Sequence, residues 1–445
     1  MPDKVVTRFA PSPTGHMHAG SYRTAFFAYL YARKHNGKFI LRIEDTDKER
    51  SKEEYTKEIF KVFKTIGITY DEHYIQSENL PRHRELLEKL VSEDKAYISK
   101  EEAKDGSGEI KEIVRLRNKN KVVTFNDIIR GQISTDTTDL GDFVIAKNVS
   151  EPLFHLAVVI DDHDEGVTHV IRAEEHISNT PRQILIHEAL GFEIPKYAHL
   201  PLVLAPDKSK MSKRKGTVPV IEYLARGYLP EAILNAICLC GWNPGTDQEL
   251  FTRAELEREF DLDKVQKAGA VFSEEKLDWF NREYIKKLSP ETLEVHVVTR
   301  LPGRILLLPQ YSEERLRKVL PIIIERIDKF DDVTKMAEGG ELNFFFAPPK
   351  IDSTLITDNG KYGAGEIKEN LDRVVKLLTK VTQFYVESVK QTIWDYATEK
   401  GRGSVLWPMR TALSGLKQSP DPFTIAEVIG KEETLNRLLN AKNSL

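Results

Sequence analysis

The chain has 445 residues, 30% charged and 40% hydrophobic, with 65 Lys and Arg against 69 Asp and Glu for a formal net charge of −4. At about 150 residues per domain this length predicts two to four domains, and the composition is soluble globular, neither a fibrous repeat nor a disordered tail. No run of about 18 apolar residues occurs and the first residues lack a basic-then-apolar pattern, so a membrane-spanning or secreted protein is excluded and a cytoplasmic, reducing location is expected.

Cys238 and Cys240 lie one residue apart, too close to staple a long loop, so a disulfide scaffold is excluded. Zinc would need at least two further ligands, and the apolar stretch Ala232 to Cys240 points instead to buried packing. The near balance of charge does not itself predict nucleic-acid binding, nor does it forbid a local positive surface.

Val5 to Phe9 predicts a strand, broken by Pro11-Ser12-Pro13-Thr14-Gly15. Tyr22 to Lys34 carries Phe26, Phe27 and Leu30 at helical spacing and ends near Asn36-Gly37, a helix stop. Lys38 to Glu44 alternates as a strand, and helices follow over Lys52 to Thr65 and Arg82 to Ser92. Strand and helix in alternation imply an α/β, Rossmann-like, doubly wound parallel sheet. From Ile98 to about Glu151 polar loops, a Gly-Ser-Gly turn at Gly106 to Gly108 and short strands (Val122 to Phe125, Asp142 to Ala146) suggest an inserted α/β module. The β/α texture resumes with Leu156 to Ile160, Val167 to Ile171 and a helix over Pro181 to Leu190. Beyond Ile221 the pattern is mainly helical: Pro230 to Leu239, Arg253 to Phe260, Glu274 to Leu288, Glu313 to Lys335, an irregular stretch over Gly339 to Gly365, then Glu366 to Ala397 and short helices to the end.

Two features carry chemistry. Gly15-His16-Met17-His18-Ala19-Gly20 has the glycine spacing of a Walker A loop, but Ser21-Tyr22 follows where Lys and Ser or Thr would be needed, so a P-loop is rejected. What remains is a turn with two histidines opening a helix. That is a place where unpaired N–H groups and the helix dipole suit a phosphate, or simply a decorated helix start. The second feature is Lys208 to Gly216, in which five of the eight residues before the glycine are basic. A solvated loop, a nuclear-localisation-like patch and a mobile loop neutralising polyphosphate compete for it. Pairing it with the histidine turn favours the last, because pyrophosphate leaving an α-phosphate needs cations from a separate element.

His18-Ala19-Gly20-Ser21 and Lys210-Met211-Ser212-Lys213-Arg214 resemble the paired signatures of class I aminoacyl-tRNA synthetases. Arg8 to Gly15, Leu41 to Asp47 and Val170 to His176 sharpen the likeness to the bacterial glutamyl-tRNA synthetases, which runs from Val5 to about Lys287 and more weakly through Arg410 to Gly415 and Phe423 to Leu439. The resemblance implies a catalytic domain in two parts (1–97 and 154–220) around an acceptor-end-binding insertion (98–153), then a stem-contact domain (221–320) and an anticodon-binding domain (321–445), both helical. It implies that Arg8 and Arg172 take the side-chain carboxylate of L-glutamate, Glu44 receives its α-ammonium, and Ala10, Ser12 and Phe154 help to orient it. ATP would lie against His16, His18, Glu175, Met211 and Lys213, with His18, Gly20, Ser21, Lys210 and Lys213 supporting the reacting phosphate and leaving group. Physics agrees: arginine pairs a carboxylate bidentately, and no side-chain nucleophile is needed.

The implied reactants are ATP with Mg²⁺, L-glutamate and tRNA(Glu), with tRNA(Gln) left open, and the chain is expected to act as a monomer. Three departures stand out. Ser21 occupies the fourth position of the first signature, where the family usually has glycine or threonine. Phe154 stands where a tyrosine is usual, removing a hydrogen bond worth about 1.5–3 kcal/mol. Tyr97 to Ile113 lacks the cysteines some relatives use for zinc, so no structural zinc is expected.

His163, His169 and His176 match no ligand spacing and are read as structural. Arg115-Leu116-Arg117 and Lys119-Asn120-Lys121 fit a tRNA grip or a solvated face equally well. Rival readings are a glutaminyl enzyme, opposed by Arg172; a queuosine-modifying relative, opposed by the long stretch after Gly216; and a non-catalytic tRNA-binding derivative.

Overall fold

The computed structural model describes residues 4–102, 109–209 and 218–445, in two compact units, 1–280 and 281–445. In the first, β1 (Val6–Phe9), α1 (Ala19–Lys34), β2 (Lys38–Ile43), α2 (Glu53–Ile66), β3 (Glu72–Ile75) and α3 (Leu80–Ser92) follow one another as strand and helix in turn. The inserted stretch supplies β4 (Ala96–Glu102), β5 (Ile110–Leu116), β6 (Val122–Asp127), β7 (Gly131–Asp136), β8 (Phe143–Asn148) and β9 (Glu151–Pro152). Then come α4 (Phe154–Asp164), β10 (His169–Ala173), α5 (Thr180–Leu190), β11 (Lys196–Leu200), β12 (Val203–Leu204), α6 (Val220–Ala225), α7 (Pro230–Leu239), α8 (Arg253–Glu259), β13 (Ala270–Val271) and α9 (Glu274–Ile285).

The main sheet has the order β3-β2-β1-β10-β11-β6-β7, parallel except for the β6–β7 hairpin. Sequence order runs outward from β1 to β3 on one side, while β10 and β11 lie on the other. The switch point is therefore the crevice between β1 and β10, the place where open α/β sheets bind ligands. The inserted stretch is divided between two sheets. Its β4, β5, β8 and β9 form a separate antiparallel sheet, but the β6–β7 hairpin extends the main sheet beside β11, pairing Asp127 with Tyr197.

Side chains alternate across a strand, so the pairs Arg8↔Ile40, Thr7↔His169 and Arg172↔His199 together place Arg8, Arg42, Arg172 and His199 on one face. Helix α4 covers that face and presents Asp161, Asp162 and Glu165 to the arginines. The apolar run Leu156 to Ile160, which the β/α texture alone assigns to neither strand nor helix, belongs to this helix. A short apolar run buried all round carries no period that separates helix from strand. On the opposite face Thr7 Oγ1 donates to the Ala28 carbonyl at 2.8 Å, and Phe9 stacks on Phe63.

Cys238 and Cys240 are both buried with free thiols, and burial raises both pKa values. Among the described residues no helix is long and apolar enough to cross a membrane.

The second unit is helical, from Pro290–Val298 to Lys431–Ser444. The stretch Glu313 to Lys335 breaks into Glu313–Ile324 and Asp331–Glu338, and Glu366 to Ala397 into Ala364–Thr379 and Val386–Lys400. Arg437 sits in its core, donating from Nη1 to the carbonyls of Phe344 and Leu413, each at 2.7 Å, and from Nε to Glu433 at 2.7 Å. Gly415 ends the helix Arg402–Ser414 at φ 68°, where a Cβ would lie 2.7 Å from Pro349 Cβ.

Candidate active site

A cavity of about 370 Å³ opens at the switch point. Arg8, Ala10, Ser12, His16, His18, Gly20, Ser21, Glu44, Phe154, Arg172 and Glu175 all line it, so residues named from four separate stretches of sequence share one cleft. Lys210, Met211 and Lys213 lie outside the described residues. The described segments on either side of them border the cleft: Val203 lines it, and Pro219 bridges to His18 while Val220 N donates to the Met17 carbonyl at 3.2 Å.

Helix α1 begins at the cavity because Pro11 and Pro13 end β1 and His18 caps the helix. Gly20 N donates to His18 Nδ1 at 3.1 Å, which leaves the ring proton on Nε2. A Cβ at Gly20 would stand 3.0 Å from the His18 ring, so any side chain there presses the ring to shift. His16 is held by Glu58 at 2.6 Å and by an edge contact with Tyr55. The Pro-rich turn is tied to β2 and α2 by Glu44 N to the Pro11 carbonyl at 2.9 Å and Lys52 N to the Pro13 carbonyl at 3.0 Å.

Arg8 is engaged by Asp162, Nε at 3.1 Å and Nη2 at 3.4 Å. Behind it Arg42, wholly buried, contacts Asp162 at 2.8 Å, Glu165 at 2.6 Å and Glu44 at 3.4 Å. Burial raises the Glu44 pKa against the pull of Arg42 and Arg8. Burial also raises Glu165, to about 8, with Asp162 and Asp161 adding to it against the opposing pull of Arg42.

Arg172 differs from Arg8. Among the described residues no carboxylate lies within ion-pair distance of it; it donates to His199 Nε2 at 3.2 Å and Thr180 Oγ1 at 2.8 Å, and lies over the Tyr197 ring. Burial, with Arg8 nearby, lowers its pKa to about 10, so it stays a cation at neutral pH. A buried guanidinium facing a cavity without a carboxylate of its own is a receptor for an anionic group. Glu44 supplies the opposite charge in the same cavity, so the pair suits a ligand carrying both an ammonium and a carboxylate. Phe154, 39% exposed, lines the cavity near His155 and His176 and offers no hydroxyl.

Comparison with known proteins covers nearly the whole chain. The family "tRNA synthetases class I (E and Q), catalytic domain" matches residues 4–105 and 98–279, and "Anticodon binding domain" matches 273–442. A glutamate–tRNA ligase of Desulforamulus reducens is 37% identical over 97% of this chain and 98% of its own length. The chain belongs to the glutamate–tRNA ligase family of class I aminoacyl-tRNA synthetases. The Aquifex aeolicus glutamate–tRNA ligase is likewise 37% identical, over 99% of both chains. The crystal structure of a glutamate tRNA ligase from Elizabethkingia meningosepticum in complex with its amino acid superposes with a TM-score of 0.88, at 31% identity over 100% of both chains. Membership in the family makes ATP a substrate, with glutamate and tRNA as the other reactants.

Asp162, which holds Arg8, and the group His199, Thr180 and Asp127 around Arg172 stand in no sequence motif of their own, whereas Arg42 beside them lies within Leu41 to Asp47. Arg42 was within reach, since strand alternation puts it on the face of Glu44. The others come from elements far apart in sequence and carried no local signal.

Proposed function

We propose that the protein activates L-glutamate with ATP and transfers it to the 3′-terminal ribose of tRNA(Glu). Arg172, a buried cation in the cavity with no carboxylate partner among the described residues, is the observation that carries this reading. It would take the side-chain carboxylate, with Arg8 beside it, while Glu44 receives the α-ammonium. Ala10, Ser12 and Phe154 would set the pose of the amino acid. His16, His18 and Glu175 would lie against ATP, which enters as its magnesium complex, together with Met211 and Lys213.

In the first step an α-carboxylate oxygen of glutamate attacks the α-phosphorus, and the bond to the bridging oxygen breaks to release pyrophosphate. His18, Gly20 and Ser21 at the start of α1 stabilise the charge on the α-phosphate, and Lys210 and Lys213 that of the leaving group. In the second step a terminal ribose hydroxyl attacks the glutamyl carbonyl and AMP leaves. Positioning and charge stabilisation supply the catalysis.

The chain would act in the cytoplasm as a monomer. The test is aminoacylation of purified tRNA(Glu) and tRNA(Gln) with labelled glutamate and glutamine. Glutamate on tRNA(Glu) is expected, glutamate on tRNA(Gln) would mark a non-discriminating enzyme, and glutamate on neither would defeat the proposal. Lys213→Ala should slow adenylate formation in a single turnover far more than it weakens glutamate binding.

A further inference from the structure

Arg172 is held by a group of buried side chains to which the reaction above assigns no role. Asp127, at the end of β6, accepts the backbone N–H of Ile129 at 3.0 Å and of Arg130 at 2.8 Å on Oδ1. Its Oδ2 accepts the His199 backbone N–H at 3.0 Å and lies 2.6 Å from His199 Nδ1. The other ring nitrogen, Nε2, faces Arg172 Nε at 3.2 Å and Thr180 Oγ1 at 3.1 Å. Thr180 Oγ1 also accepts from Arg172 Nη2 at 2.8 Å. Asp127, Thr180, Arg172 and His199 are all buried.

The donors settle the tautomer. A guanidinium only donates, so Nε2 carries no proton, and the single ring proton sits on Nδ1, donated to Asp127. Were the proton on Nε2 instead, an N–H would point at the Arg172 N–H and the guanidinium would turn away. We propose that Asp127, His199 and Thr180 are positioning residues that fix the direction of the Arg172 guanidinium, and with it the selection of an acidic amino acid, by presenting it with two acceptors. The proposal rests on the reading of Arg172 as the glutamate receptor. It also gives the inserted segment a part in the amino-acid pocket, because Asp127 belongs to the hairpin that this segment adds to the sheet.

The test uses the full-length enzyme with KM for glutamate and for ATP measured separately in aminoacylation, and thermal melting to verify folding. His199→Phe keeps a ring but loses the acceptor, and Thr180→Val keeps the shape but loses the oxygen. Each should raise KM for glutamate on the order of tenfold or more while KM for ATP changes less than about twofold. His199→Gln sets an amide oxygen near Nε2 and should recover most of the loss, whereas His199→Asn, whose amide reaches only the Nδ1 position, should not.

Equal effects on both substrates, or a His199→Gln enzyme no better than His199→Asn, would overturn the relay. Should His199→Phe fail to fold, Thr180→Val against Thr180→Ser and the Gln–Asn pair decide the question. Arg172→Ala separates the two levels: an unchanged glutamate KM there removes the receptor reading itself. A raised glutamate KM there, with Thr180→Val and His199→Phe both silent, removes only the relay.

Discussion

Asp162 grips Arg8 with both carboxylate oxygens, at 3.1 Å from Nε and 3.4 Å from Nη2, from a helix 154 residues further along the chain. The same carboxylate takes Arg42 Nη2 at 2.8 Å, so one buried acid aligns two cations under the cavity. Asp162→Asn leaves both guanidinium groups short of charge in a buried place, a change that costs about 3–5 kcal/mol when a buried pair is broken. Urea unfolding should show a loss of that order, with KM for glutamate raised and KM for ATP nearly unchanged. A variant as stable as the parent would mean that the pair contributes no net stability.

Gly20 predicts an opposite pairing of effects. Alanine is the better helix former by about 1 kcal/mol, but displacing the His18 cap costs a similar amount, so Gly20→Ala should leave the melting temperature nearly unchanged. The added Cβ would stand 3.0 Å from the His18 ring and push it from its cap position. Adenylate formation should fall about tenfold or more in a single-turnover assay while the fold persists. An unaltered rate would remove His18 from the phosphate site.

Phe154 offers a gain-of-function test. It is half exposed at the cavity wall, so Phe154→Tyr adds a hydroxyl without burying an unpaired polar atom. If that hydroxyl reaches the substrate carboxylate, the bond is worth about 1.5–3 kcal/mol, and KM for glutamate should drop about tenfold or more. A KM unchanged within twofold would place the position out of reach of the substrate.

Glu165 gives a pH dependence with a definite sign. Burial raises its pKa to about 8 from an ordinary 4.5, so the folded protein keeps a proton that the unfolded chain releases between those values. The resulting stability is complete below about pH 4.5 and is lost as pH rises through about 8, by at most about 1.4 kcal/mol per pH unit. Glu165→Gln cannot release a proton and keeps a carbonyl for Arg42. Its stability relative to the parent should therefore climb between pH 5 and 8.5 in denaturant titrations. A difference that does not vary with pH would show that Glu165 is ionised throughout.

Local order was legible in the sequence where a period or a breaker acts over a few residues. Alternation in Lys38 to Glu44, the prolines after Phe9 and the glycine-flanked histidines each bias the backbone within one turn or one strand, and the elements formed where these signals stood. Of the cavity lining, Arg8 was legible because it ends a strand before a Pro-rich turn and so faces the carboxyl edge, whereas Glu44, Phe154, Arg172 and Glu175 were named only through the family resemblance. Tertiary structure alone decided that Leu156 to Asp164 is a helix, that the inserted hairpin joins the main sheet, and that Arg8 meets a carboxylate while Arg172, among the described residues, meets only His199 and Thr180. Those outcomes depend on charges and backbone edges brought together from positions far apart in the chain. Their free energy appears only after burial removes water and lowers the local dielectric, so no window of neighbouring residues encodes it.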